Sequence, residues 1–287
     1  MATLATRLTS TGTFLVNGTF DEVTKTTISI TTDTVYSKLL DEVTLTRGST
    51  NPAMRQTNTG SILVSTIFDE FTGAPIADSS LIQWVDAAQT ASYPGSGTTW
   101  TNLSGAGSFS LSSSTFTTAE GGAIVWPNGP AQGSFTPQPN ITGAHTISIW
   151  FKQTVVNAST IKRYVTLGSD SVVLRNDGIN QSGQIHYYLT VNSVITSLRV
   201  NSQVVANQPV NFVATWNGST MTLYKNGVSI GSQALSGTLQ TTTNWDAISG
   251  TTEPFIGNMY QIQMYNRALS ADEVAQNFNA LRRRYGL

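Results

Sequence analysis

PVNFVATWNGSTMTLYKNGVSIG, residues 209–231, packs strand, turn, strand, turn and strand into one short run. Phe212, Ala214 and Trp216 share one parity, and Met221 and Leu223 follow the turn at Asn217–Thr220. Lys225–Gly227 then turns the chain again into Val228 and Ile230. Apolar residues at every second position place one face of each strand against a core. Asn-Gly pairs supply the positive φ that two-residue hairpin turns need. Chain written this way is committed to successive antiparallel strands.

The same period recurs elsewhere. HTISIWFK puts Ile147, Ile149 and Phe151 on one face. NMYQIQMYNR alternates Met259, Gln261, Gln263 and Tyr265 against Tyr260, Ile262 and Met264, a pattern suited to a core strand. The period then changes. In RALSADEVAQNFNALRRRYGL, Ser270 is placed as an N-cap with Glu273 three residues on, a capping box. Val274, Phe278 and Leu281 follow at helical spacing, which predicts a short amphipathic helix with a basic, solvated last turn at Arg282–Arg284 and Gly286 beyond it.

Near the start the chain repeats itself. ATRLTSTGTFLVNGTFDEVT (5–24) and AMRQTNTGSILVSTIFDEFT (53–72) agree at 11 of 20 positions with an offset of 48. A partial echo, DEVT, stands at 41–44. Alternating apolar residues with Thr between, and Gly12 and Gly60 at matching places, predict a β-hairpin in each copy. All six tryptophans lie after residue 80, and the small-residue stretch Gly73–Ser80 reads as a joint. The expected organisation is therefore a duplicated strand region over 1–80 and a larger β domain over 81–287.

TISIWFK, FVATWNGSTMTLYKNGVSIGS and FIGNMYQIQMYNRALSADEV together resemble the laminin-G-like branch of the concanavalin A-like lectin/glucanase superfamily. WVDAAQTASYPGSGTTWTNLSG (84–105) resembles the opening of such domains in tailed-phage structural proteins, and the N-terminal repeat resembles repeats in virion proteins of marine cyanobacterial phages. The resemblance covers roughly residues 81–287. It implies an all-β chain: an N-terminal hairpin-repeat region, then a two-sheet antiparallel jelly-roll sandwich closed by a short C-terminal helix. Family members often carry acids in the last strand where this chain reads Gly257-Asn-Met-Tyr-Gln-Ile262, so a calcium role for such acids does not carry over.

Glucanases of the superfamily set two glutamates on one strand face, and no such string occurs here. After residue 80 the acids are Asp86, Glu120, Asp170, Asp177, Asp246, Glu253, Asp272 and Glu273, none with the spacing of a carboxylate dyad. The adjacent acids Asp21/Glu22 and Asp69/Glu70 would point to opposite faces of a strand. Two histidines, His145 and His186, are far apart in sequence and read as packed residues rather than bases. Cysteine is absent, which excludes disulfides and thiolate chemistry. No catalytic residue, cofactor or metal site is expected. Asp170 and Asp177 are the weak calcium candidates, with turn residues at strand ends as the plainer alternative. Trp100, Trp126 and Trp245 stand in Gly/Pro/Thr-rich surroundings and are the candidate glycan-binding aromatics, with burial as core anchors as the alternative.

A net charge of −1 implies neither nucleic acid nor a membrane surface as partner. The opening MATLATRLTS lacks the apolar core of a signal peptide. Together with the resemblance, this leads to the expectation of a non-enzymatic phage virion structural protein, made in the host cytoplasm and located in the virion. The favoured form is a capsid decoration protein or head fibre. Its repeats would anchor it through Arg7, Phe20, Asp21 and Glu22 and their equivalents Arg55, Phe68, Asp69 and Glu70. The partner would be the major capsid protein or another virion protein, and the sandwich would be displayed. A tail or fibre adhesin that binds host surface glycan is the alternative, and self-association into a homo-oligomer is a further expectation.

Overall fold

The structure is a computed structural model. It describes residues 78–127, 133–136, 141–157, 160–168, 170–179, 181–240 and 253–287, and the backbone of seven short strands before residue 65. The chain divides into two compact units, Met1–Ala74 and Pro75–Leu287.

In the first unit the strands are β1 (Leu4–Arg7), β2 (Phe14–Val16), β3 (Thr27–Ser29), β4 (Thr34–Ser37), β5 (Thr44–Thr46), β6 (Arg55–Gln56) and β7 (Ile62–Val64). β6 and β7 form the hairpin expected of the second repeat copy. The first copy differs: β1 pairs with β4, and β2 pairs antiparallel with β7. The register sets Phe14 opposite Val64, Leu15 opposite Leu63 and Val16 opposite Ile62. Since the repeat offset is 48, Leu15 faces its own equivalent. The two copies thus pair about a local two-fold axis at Leu15–Leu63. A parallel pair, β3 with β5, lies between them in sequence. Arg7 falls in β1 and Arg55 in β6. Phe20, Asp21, Glu22, Phe68, Asp69 and Glu70 lie outside the described residues.

The second unit begins with β8 (Leu81–Asp86), β9 (Thr99–Thr101), β10 (Ser108–Leu111), β11 (Thr115–Thr117), β12 (Ala123–Trp126) and β13 (Gly133–Thr136). It continues with β14 (His145–Gln153), β15 (Ile161–Leu167), β16 (Val172–Asp177), β17 (Ile185–Val191) and β18 (Val194–Val200). Last come β19 (Pro209–Trp216), β20 (Thr220–Lys225), β21 (Val228–Ala234), β22 (Gly257–Tyr265) and the helix α1 (Ala271–Leu281). Eight strands make one sheet in the order β11-β12-β22-β14-β19-β20-β21, with β8 also on β22. Two smaller sheets, β13-β10-β9 and β15-β16-β17-β18, supply the opposing layer of the jelly-roll-like sandwich. One apolar core joins Trp100, Phe109 and Phe135 to Ile147, Ile149 and Phe151, to Val165, Leu174 and Leu189, and to Phe212, Ala214 and Trp216.

The two tight turns form as written. Asn217 Oδ1 accepts from the backbone N–H groups of Ser219 and Thr220. Asn226 (φ 51°) and Gly227 (φ 79°) both adopt the left-handed conformation that turns β20 into β21. All nine residues of β22 are buried. A register shift opposite Trp150/Phe151 breaks its simple alternation. Met259 therefore joins Ile262 and Met264 in the main core, while Tyr260 packs on the other side with Trp150 and Tyr285.

Helix α1 carries the full capping box. Ser270 Oγ accepts from Glu273 N at 3.2 Å, and Ser270 N donates to Glu273 Oε2 at 2.8 Å. Val274 is buried and Phe278 and Leu281 are partly buried, as the spacing predicts. The last turn departs from expectation. Arg282–Tyr285 form a 3-10 turn, and Arg284 is bound rather than solvated: its guanidinium donates to both carboxylate oxygens of Asp86, at 2.8 and 2.5 Å.

Candidate functional site: a charged row on the four-stranded sheet

The sheet β15-β16-β17-β18 has one face in the core and one outside it. Val165 and Leu167, Val172 and Leu174, Ile185, Tyr187 and Leu189, and Leu198 point inward. Strand periodicity sends the intervening residues the other way. At the β15 end, a bulge between Arg163 and Val165 lets Tyr164 and Val165 both reach the core, with Arg163 outside.

On the outer face the registers place four basic residues side by side. Arg163 is opposite Arg175, Arg175 opposite His186, and His186 opposite Arg199. Like charges directly opposite one another destabilise a sheet, so packing alone gives no reason for Arg163 to face Arg175. Acids from elsewhere offset it. Arg163 donates to Asp170, and its Nε donates to Glu253 Oε2 at 2.5 Å. Arg175 reaches Asp177 Oδ2 at 3.2 Å and lies over the Tyr188 ring, 5.3 Å from its centroid. Arg175 Nε also donates to His186 Nδ1 at 3.1 Å. Nδ1 also lies 3.3 Å from Asp177 Oδ2, and with Nδ1 accepting from Arg175 the neutral ring carries its proton on Nε2.

Burial and neighbouring charge shift three members of the cluster. Burial, and then the charges of Arg175 and Arg199, pull His186 down to about 3 against the pull of Asp177. Burial also lowers Arg163, but Asp170 and Glu253 more than reverse this and hold it firmly protonated. Burial raises the Tyr188 hydroxyl above its usual range. The inner part of the row is enclosed, with His186 only 1% exposed. Its rim is open at Arg199 and at Asp170, whose side chain is 49% exposed. Paired guanidinium donors, carboxylate acceptors and a tyrosine ring on a rigid sheet can bind a polar, hydroxyl-rich ligand without any covalent step.

The sites expected from sequence fall out differently. Asp170 and Asp177 face guanidinium groups rather than a shared cation position, and no group of three metal-ligating side chains occurs among the described residues. Trp100 lies in β9 and Trp126 at the end of β12, at 0% and 1% exposure. Their faces are taken by Phe109 and Phe255, so the core-anchor alternative describes both and neither can stack on a sugar. Trp245 lies outside the described residues. His145 is a packed core residue. Its Nδ1 donates to Gly143 O at 2.8 Å, and its Nε2 accepts from the Tyr187 hydroxyl at 2.7 Å.

Glu120, at φ 54°, holds Lys152 Nζ at 2.5 Å and accepts from the Tyr260 hydroxyl. Burial pushes its carboxyl up, and these hydrogen bonds outweigh that and keep it below the ordinary glutamate value. An ionised, fully engaged carboxylate is poorly suited to donate a proton to a glycosidic oxygen.

The charged row was not found from sequence. Its members are ordinary alternate-position residues until the strand registers are known, and Glu253 joins them from 90 positions away.

Comparisons with known proteins agree with this architecture. A laminin-G-type family model, described as the concanavalin A-like lectin/glucanases superfamily, matches residues 128–275. No curated protein matches the sequence. Among solved structures, the chain is similar to the botulinum neurotoxin serotype D binding domain, at 16% identity and a TM-score of 0.54. That likeness covers 69% of this chain and 51% of the other, so the chain spans about half of that domain's length. It is also similar to the binding domain of Paraclostridial Mosquitocidal Protein 1, at 16% identity and a TM-score of 0.52, covering 71% of this chain and 53% of that one. A third likeness is to domain 4 of AbnA, a GH43 extracellular arabinanase from Geobacillus stearothermophilus, solved in complex with arabinotriose. There the identity is 14% and the TM-score 0.53, over 69% of this chain and 98% of that domain. At such identities the likeness is one of fold. With more than half of its residues matched by the family model and its sandwich built as described, this chain belongs to the concanavalin A-like lectin/glucanases superfamily.

Proposed function

We propose that the second unit is a non-catalytic glycan-binding domain, and that the repeat unit attaches it to a tailed-phage virion as a capsid decoration protein or head fibre. The observation that carries the binding half is the row Arg163–Arg175–His186–Arg199, in which Arg163 and Arg175 stand directly opposite as like charges, a pairing that sheet stability does not call for. Membership of a lectin-containing superfamily, and likeness to two binding domains and to an arabinanase domain solved with arabinotriose, support it. The engagement of Glu120, Glu253, Asp170 and Asp86 by cations supports a non-catalytic role. The attachment half rests on the sequence repeat and its resemblance to cyanophage virion proteins. Two equivalent copies suit two-point attachment, which raises avidity without any single strong contact.

A glycan array probed with the full chain tests the binding half, and failure to retain any saccharide would reject it. For attachment, residues 1–80 fused to an unrelated carrier should bind particles stripped of this protein. Changing Arg7 with Arg55, Phe20 with Phe68 or Asp21 with Asp69 should weaken attachment far more than either single change. A double variant no weaker than its singles would reject two-point anchoring. Copy number in purified particles separates a shell decoration from a tail adhesin.

A further inference from the structure

We infer that the ligand of the outer face is an acidic saccharide, and that Arg199 and His186 receive its anionic group. This inference rests on the glycan-binding reading above and names the ligand class for that site.

Charge is distributed unevenly along the row. At the β15 end, every guanidinium is met by protein carboxylate: Arg163 by Asp170 and Glu253, Arg175 by Asp177. The β18 end is different. Arg199 is exposed and makes no ion pair among the described residues. Beside it, His186 accepts from Arg175 through Nδ1, so its Nε2 is a donor. That Nε2 is buried and has no hydrogen-bond partner among the described residues. Buried donors are almost always satisfied in native proteins. At this corner an unmet buried donor stands next to an unpaired guanidinium, directly opposite in register, with the nearest carboxylate, Asp177, on the far side of the ring 3.3 Å from Nδ1.

The complement of such a corner is an acceptor with negative charge. A sugar carboxylate matches the guanidinium fork with two parallel hydrogen bonds, and a sugar sulfate offers the same acceptors without the planar match. His186 stays neutral across ordinary pH, so it contributes a hydrogen bond while Arg199 contributes charge.

The test is calorimetric titration of the full chain with size-matched oligogalacturonate, sulfated dextran oligosaccharide and neutral dextran oligosaccharide. Oligogalacturonate should bind at least roughly tenfold more tightly than the neutral chain. Sulfated dextran binding best would move the anionic group from carboxylate to sulfate and still support the corner. Arg199→Gln should remove most of the preference for the acidic ligand. Arg283→Gln, which alters net charge elsewhere, should leave it intact. His186→Gln is the second variant, but it is buried and needs a fold check by circular dichroism; exposed Arg199 does not depend on it. Equal affinity for neutral and acidic chains overturns the inference while leaving glycan binding in place. Equal losses from Arg199→Gln and Arg283→Gln also overturn it, because only bulk charge is then at work. Binding of no saccharide overturns both readings.

Discussion

Trp150 and Phe278 stack face to face, with ring centroids 5.5 Å apart and planes 3° from parallel. This contact joins the middle of β14 to the second half of α1, and Tyr285 adds a third ring 4.6 Å from Trp150. The helix is thereby fastened to the sheet at its far end by aromatic packing. At its near end Arg267 grips Glu273 through two hydrogen bonds, and the capping box closes the first turn.

Removing either fastening should lower stability by a predictable amount. Phe278→Ala is expected to cost about 2–3 kcal/mol, less than a fully buried Phe because its ring is only partly covered. Ser270→Ala is expected to cost about 1 kcal/mol through the lost cap. Urea unfolding of the two variants and the parent measures both. A Ser270→Ala variant with an unchanged midpoint would remove the capping box from the account.

Stability should fall as the solution is acidified. His145 is pulled down to about 4 by burial and His186 to about 3, against an ordinary value of about 6.5. Below pH 6.5 the unfolded chain takes up protons that the folded one refuses, so protonation favours unfolding. The contribution is whole above about pH 6.5 and is withdrawn as pH falls toward 4 and then 3. At about 1.4 kcal/mol per pH unit for each group, the two together withdraw several kcal/mol. Denaturant midpoints between pH 7 and 4.5 should decline, and His145→Gln should flatten the decline. A level profile would contradict the burial account.

Hydrolysis is not expected. Incubation with β-glucan, agar or cyanobacterial surface polysaccharide should release no new reducing ends. Turnover abolished by Glu120→Gln or Glu253→Gln would contradict this. Glu253→Gln should instead act on stability, since it leaves Arg163 with Asp170 as its remaining carboxylate partner.

Pairing of the repeat copies can be trapped chemically. The chain has no cysteine, so Leu15→Cys with Leu63→Cys introduces the only two thiols. Positions directly opposite in antiparallel strands fall within disulfide reach. Oxidation should give an intramolecular link, visible as faster migration on a non-reducing gel. Leu15→Cys with Val64→Cys, one register step away, should link far less. Equal yields from both pairs would deny the local two-fold.

Strands were easy to read from sequence where one face is buried and turn chemistry is explicit. Asn226-Gly227 takes positive φ because the hairpin needs it, and Ser270 with Glu273 caps because first-turn N–H groups have no partner within the helix. Three features were not legible, each for a physical reason. Trp100 and Trp126 sit among Gly, Thr and Pro, and only the fold shows that these polar flanks border short strands over the core. Arg284 resembles a solvated helix end until Asp86, 198 positions earlier, is brought to it. The row from Arg163 to Arg199 depends on strand registers, which a period of two cannot specify between strands.

Strand β22 has a consequence for how the protein is made. One edge of it binds β14, and the other is shared by β12 and β8. It is synthesised after all three. At ~5–20 residues per second, the interval between β8 and β22 leaving the ribosome is roughly 9–36 s. During that time β8 has no strand to pair with, and β14 has only β19. Val85, Ile147 and Ile149 then lack the Met259, Ile262 and Met264 side chains that share their core. The sandwich cannot close progressively from its N-terminal end. Joining β8 and β12 to β14 waits for a strand delivered after most of the chain, and any stall in translation short of residue 265 leaves an open, adhesive sheet edge.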